Sequence, residues 1–221
     1  MIQSITGTIK QSNNIDISAQ DTIVIISSTK GNIDSLDTKN DDFSLNSSAK
    51  RLQEHFDLFH RPLIISNACI SGVMAINTAS NLIEAGLYKN IIVAGADIVS
   101  DFVLWGFQSL FAISSDTCKP FDKERKGITM GEGAGTVLVS KDASLFKEKP
   151  LQLLAGVSTN DANHISGPSR TGEGLFRAIK KTQEKNNIST NEIDFISAHG
   201  TATNYNDEME SIAFSRLEML N

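Results

Sequence analysis

Apolar positions fall in short blocks separated by polar loops, and the spacing within each block sets the element it predicts. Residues 21–27 carry the unbroken run Ile23-Val24-Ile25-Ile26, which predicts a strand buried on both faces, as in parallel sheets. The stretch 32–46 is rich in Asp, Asn and Ser and reads as a loop, followed by a helix over about residues 48–59 that Pro62 ends. A short strand at 63–66, a helix over 69–85 stopped by Gly86, and a strand at 90–96 complete a strand-helix-strand unit. Such a crossover sets its strands parallel and places the loop leaving the first strand at its carboxyl end, where sites collect. Cys69 lies in that loop.

A second cycle follows the polar stretch 141–149. Residues 151–158 read as a strand, 173–185 as a helix with Leu175, Ile179 and Thr182 on one face, and 193–198 as a strand ending at His199. A helix from about residue 206 closes the cycle. Two successive cycles, each with a reactive side chain just past a strand end, point to an internal duplication.

Composition narrows the function classes. With 221 residues, 40% hydrophobic and 21% charged, the chain suits one or two compact domains. A net charge of -6 without a Lys/Arg cluster gives no electrostatic footprint for nucleic acid. No stretch approaches the roughly 20 apolar residues of a membrane helix, and the first apolar run is too short for a signal peptide, so a cytoplasmic protein without a membrane partner is expected. The four histidines show no metal-ligand spacing, so neither metal nor cofactor is expected. His55 and His60 read as surface residues. The glycine-rich segment 127–135 precedes a strand at 136–140 rather than opening a helix, which argues against a dinucleotide fingerprint; it reads as a turn letting backbone approach the Cys69 loop.

The candidate chemistry starts at Ser66-Asn67-Ala68-Cys69-Ile70-Ser71-Gly72, where a thiol stands between a strand and a helix. A helix N-terminus stabilises a thiolate and can hold the oxyanion of an attacked thioester. Taken alone, Cys69 also reads as a small buried core residue. His199, held at a strand end, suits polarisation of a carbonyl or positioning of a carboxylate, and equally a local hydrogen bond at a turn. Cys118 reads as an incidental loop residue.

Taken as an ordered set, several segments resemble the beta-ketoacyl synthases. These are residues 67–72, then Gly106-Phe107-Gln108-Ser109-Leu110-Phe111-Ala112-Ile113-Ser114, Lys119-Pro120-Phe121-Asp122-Lys123-Glu124-Arg125, Asn160-Asp161-Ala162-Asn163-His164 and Ala198-His199-Gly200-Thr201-Ala202-Thr203. The resemblance runs from about Ile23 to the last residue. It implies an α/β thiolase-like fold, a duplicated layered αβαβα architecture incomplete in this chain, with an N-terminal half over 1–145 and a partial C-terminal half over 146–221. It implies acyl transfer from acyl carrier protein to Cys69, then decarboxylative Claisen condensation with a malonyl thioester, in fatty acid or polyketide/polyene synthesis. His199 matches the first of two catalytic histidines, Thr201 and Thr203 match pantetheine contacts, Asp207 and Glu210 match acidic residues bracing the site, and Phe107 falls where the acyl chain is lined. A homodimer or a heterodimer with a related subunit is implied.

The resemblance also has departures. Its catalytic Lys and second His would lie after Asn221, an opening strand-helix segment is expected to be missing before Asp21, and Ala202 and Asn204 differ from the usual loop. Acylation of Cys69 is therefore expected, with little or no condensation by this chain alone, and poor solubility from uncovered edges. The competing reading is a non-catalytic condensing-enzyme-like subunit or degenerate fragment, which retention of both Cys69 and His199 fits poorly. A non-decarboxylating thiolase is disfavoured by the Gly-Thr-Ala-Thr loop.

Overall fold

The computed structural model describes residues 1–36, 43–161, 167 and 169–220. The chain forms two compact units, the first from residues 1–102 and 131–153 and the second from 103–130 and 154–221.

In the first unit a four-stranded sheet runs in the order β2-β1-β3-β4, with β1 at Thr22–Ser27, β2 at Leu63–Ile65, β3 at Asn90–Asp97 and β4 at Gly133–Ser140. β1 pairs parallel with β2 and β3, and β4 closes the sheet antiparallel to β3. All six residues of β1 are buried, as the apolar run predicts for a central strand covered on both faces. Side chains alternate between two cores. Val24, Ile26, Ile92 and Ala94 face one, with Ile5 of α1 (Ile2–Gln11) and Ala49 and Leu52 of α2 (Leu45–Phe56). Ile23, Ile25, Ile91 and Val93 face the other, covered by Ala75, Ala79 and Ile83 of α3 (Ser71–Glu84). The β1–β3 register sets Ile23 opposite Ile91 and Ile25 opposite Val93, so residues of the same face meet across the ladder. Each fully buried isoleucine here contributes on the order of 2–3 kcal/mol.

Several sequence expectations are corrected. A helix, α1, stands before residue 21, and its buried Ile5 belongs to the core with Ile9 packed against it. The spacing of Ile2, Ile5 and Ile9 was the sequence signal for it. Helix α2 lies three residues earlier than 48–59, because the Ser44 hydroxyl accepts from Ser47 N at 3.0 Å and caps the start, while Asp57 in a left-handed conformation ends it. The close backbone approach in the glycine-rich segment is at Gly127, whose φ is +134°, and it is made to Ala112 and Ser114, not to the Cys69 loop. Gly133 and Gly135 lie within β4, opposite Asp97 and Gly95, and among the described residues nothing lies within 4 Å of where a Cβ would stand on Gly131, Gly133 or Gly135. Glycines are tolerated there because β4 is an edge strand.

Helix α4 (Asp101–Ser109) contains the boundary between the units. In the second unit α5 (Glu173–Asn186) packs on α6 (Asn204–Arg216). Arg216 donates from Nη2 to Glu173 at 2.8 Å and lies 4.0 Å from the centroid of the Phe176 ring. The stretches 151–158 and 193–198 are not strands, and among the described residues neither has a ladder partner. Side chains of α5 serve the first instead: Ala155 N donates to Asn186 Oδ1 at 3.1 Å, Asn186 Nδ2 donates to Ala155 O at 2.7 Å, and Val157 N donates to Thr182 Oγ1 at 3.2 Å. The expected face of α5 is thus present, with Leu175, Ile179 and Thr182 half-buried.

Candidate active site

In the first unit the chain leaves β2 and turns at residues 67–70 before α3 begins at Ser71, so Cys69 stands just outside the helix rather than in its first turn. Two features hold this turn. Ala68 adopts φ +46°, a left-handed conformation that L-residues avoid. The buried Ser71 hydroxyl donates to Ala68 O at 2.7 Å and accepts from Asn67 N at 2.8 Å, clamping the turn from inside. Cys69 is exposed, which overturns its reading as a buried core residue, and neither cysteine is in a disulfide. Cys69 precedes the first residue of the 14-residue helix α3 by two positions. At the same carboxyl edge of the parallel strands lies a cavity of about 350 Å³, lined by Ser27, Gly72, Gly95, Asp97, Gly133 and Val137. Asp97 organises that edge by accepting from the Ser28 hydroxyl at 2.9 Å and from Thr29 N at 3.1 Å.

The second unit carries the His199 loop, and two buried carboxylates of α6 hold it. Glu210, 4% exposed, accepts from His199 N and Gly200 N, each at 2.8 Å. Asp207, 1% exposed, accepts from Ala202 N at 3.1 Å and from Phe121 N at 2.7 Å. Asn206 donates to both carboxylates. The Thr201 and Thr203 hydroxyls lie 2.9 Å apart. Gly200, at φ +55°, leaves room for Pro120, whose Cβ would stand only 3.0 Å from a side chain there.

The structure therefore gathers His199, Thr201, Thr203, Asp207 and Glu210 in the second unit, while Cys69 belongs to the first. Phe107, in α4, is half-buried, and its carbonyl accepts from Leu110 N and Ala112 N. Cys118 is not an incidental loop residue: its thiol donates to Thr201 O at 3.7 Å and its amide to Thr129 Oγ1 at 2.9 Å. Of the segment 160–164, residues 162–164 lie outside the described residues. Ser71, Arg125 and Asn206 were assigned no roles from the sequence, although Ser71 and Arg125 lie in the segments 67–72 and 119–125 that carry the resemblance and Asn206 adjoins Asp207. Among the described residues no His/Cys/Asp/Glu cluster that would hold a metal is present, and no helix is long and apolar enough to cross a membrane.

A parallel sheet closed by one antiparallel strand, with a thiol past a strand end, defines a thiolase-like α/β protein, and solved ketosynthases share the fold. Residues 13–144 match the family described as beta-ketoacyl synthase, N-terminal domain, and residues 153–218 match beta-ketoacyl synthase, C-terminal domain. The chain belongs to the beta-ketoacyl synthase family. It is 32% identical over 157 residues to nodulation protein E of Rhizobium leguminosarum bv. trifolii, and 32% identical over 168 residues to 3-oxoacyl-[acyl-carrier-protein] synthase 2 of Rhizobium meliloti strain 1021. Each match covers 69% of this chain and 39% of the relative, so the chain spans well under half the length of these proteins. A chain of the solved complex of the ketosynthase ApeO with its chain length factor ApeC from Xenorhabdus doucetiae superposes with a TM-score of 0.78 at 29% identity, covering 100% of this chain and 57% of that one.

Proposed function

We propose that this chain is an acyltransferase of the beta-ketoacyl synthase type whose nucleophile is Cys69. The observation that carries the reading is an exposed thiol on a clamped turn at the N-terminus of α3. The Cys69 sulfur attacks the thioester carbonyl of an acyl group borne by acyl carrier protein. The carbon–sulfur bond to the pantetheine arm breaks, a new one to Cys69 forms, and the thiol proton passes to the departing pantetheine sulfur. Helix N-H groups favour both the thiolate and the oxyanion that forms on the way.

With His199 as the one imidazole assigned to it, this chain alone is expected to carry out little or none of the second half-reaction, in which a malonyl thioester loses carbon dioxide and its carbanion attacks the acyl-Cys69 carbonyl. A carbon–carbon bond forms and the sulfur leaves as thiolate. His199 polarises the malonyl carbonyl, Thr201 and Thr203 hold the pantetheine arm, Phe107 lines the acyl chain, and Asp207 and Glu210 fix the loop. The nucleophile belongs to an N-terminal half over 1–145 and the histidine to a C-terminal half over 146–221. Acyl carrier protein and a second subunit, identical or related, are the partners. The name of the Rhizobium meliloti relative and the companion chain of ApeO support these assignments. The product enters fatty acid or polyketide/polyene synthesis.

The test is intact mass of the folded chain after incubation with an acyl-acyl carrier protein, beside Cys69→Ala. An adduct of one acyl group on the parent, missing from Cys69→Ala, is expected. A folded parent that takes no acyl group refutes the catalytic reading and leaves a non-catalytic subunit of the same family.

A further inference from the structure

A carboxylate as buried as Asp207 needs a counter-charge as well as donors. Among the described residues its cation is Arg125, with Nε 3.8 Å from Oδ2 and a side chain only 20% exposed. The same guanidinium donates from Nε to Thr203 O at 3.4 Å and from Nη2 to Asn204 O at 3.1 Å, while Nη1 is anchored on Asp122 O at 3.0 Å. Thr203 is the N-cap of α6, so Arg125 grips the junction between the His199 loop and the helix that carries Asp207 and Glu210. A planar fork reaches all these acceptors together, whereas an ammonium supplies the charge without the fork. The neighbouring segment adds to the clamp through Phe121 N on Asp207 and Cys118 on Thr201 O.

We propose that Arg125 is a positioning residue that sets the conformation of residues 199–203 without touching substrate, presenting His199, Thr201 and Thr203 for use. The effect on substrate handling rests on the reading above that the threonines hold pantetheine; the effect on the loop does not.

The test compares full-length Arg125→Gln, Arg125→Lys and a Thr201→Val/Thr203→Val double variant, each shown to be folded by its thermal melt. Two quantities are read: the concentration of hexanoyl-pantetheine giving half-maximal acylation of Cys69, and the NMR resonance of the carbon-bound ring protons of His199, assigned with His199→Asn. Arg125→Gln is expected to raise the half-saturating concentration about tenfold with the saturated rate within about twofold, and to move the His199 resonance while His60 stays in place. Arg125→Lys is expected to fall between. A folded Arg125→Gln with parental half-saturation, when the threonine variant raises it, overturns the proposal. If the threonine variant changes nothing, or Cys69 takes no acyl group, the reading of the substrate site fails. The His199 resonance then decides for Arg125: moved upholds it and unmoved overturns it. If Arg125→Gln does not fold, Arg125→Lys decides on the same readouts, since a purely structural role lowers its melting temperature and leaves both unchanged.

Discussion

Ala68 holds a conformation that costs an L-residue roughly 1–2 kcal/mol and glycine little. Ala68→Gly is therefore expected to stabilise the first unit by about 1 kcal/mol, read as a higher denaturation midpoint at unchanged slope. A lower midpoint would mean that the methyl group, not the backbone, matters at this position. At this scale the candidate residues Cys69 and His199 were legible, as were the bracing carboxylates Asp207 and Glu210 through the resemblance, whereas Arg125 and Ser71 were not. Cys69 and His199 announce themselves by chemical type and by standing just past apolar segments. Arg125 does not, because it and Thr203 are separated by 78 positions and no local pattern ties one to the other. Ser71 is closer in sequence to what it holds, but its burial depends on how α3 meets the sheet, and a serine in a helix is otherwise unremarked.

Among the elements, the α5–α6 pair makes the clearest prediction. The Arg216 guanidinium, with that of Arg177 beside it, holds the Glu173 carboxyl below its ordinary range. A lowered folded value means that this contribution is present above the unfolded value, about 4.3, and disappears as pH falls through the folded one. Glu173→Gln should therefore melt below the parent near neutral pH and converge with it in acid, in melts from pH 3 to 7; curves that stay parallel would remove Glu173 from the α5–α6 contact. Three elements were readable: β1 from its unbroken apolar run, α3 from its place between two strands and its stop at Gly86, and α5 from Leu175, Ile179 and Thr182. Segments 151–158 and 193–198 were not, because a strand is a pairing between segments and composition states only one side of it. Where Asn186 and Thr182 satisfy the backbone of residues 155–157, a helix has taken the place that the pattern reserved for a neighbouring strand.

For the whole molecule, each compact unit is assembled from two separated stretches of chain. The first closes only when β4 returns to β3 and α1, a return marked by the Ser4 and Thr136 hydroxyls, 2.7 Å apart across 132 positions. Contacts between such distant positions are slow to form because a long loop must close first. The order of synthesis then becomes a constraint: a ribosome that has delivered residues 1–130 has made three strands and an open β3 edge, but not the strand that covers it. Nascent chains stalled with residue 130 at the exit port should be cleaved readily by protease, and those stalled beyond residue 153 should resist; equal resistance would mean that the first 102 residues fold alone. The antiparallel edge strand is thus expected to set when the first unit can close. Until it emerges, the β3 edge of the unit that carries the thiol is expected to stand open to pairing with another chain.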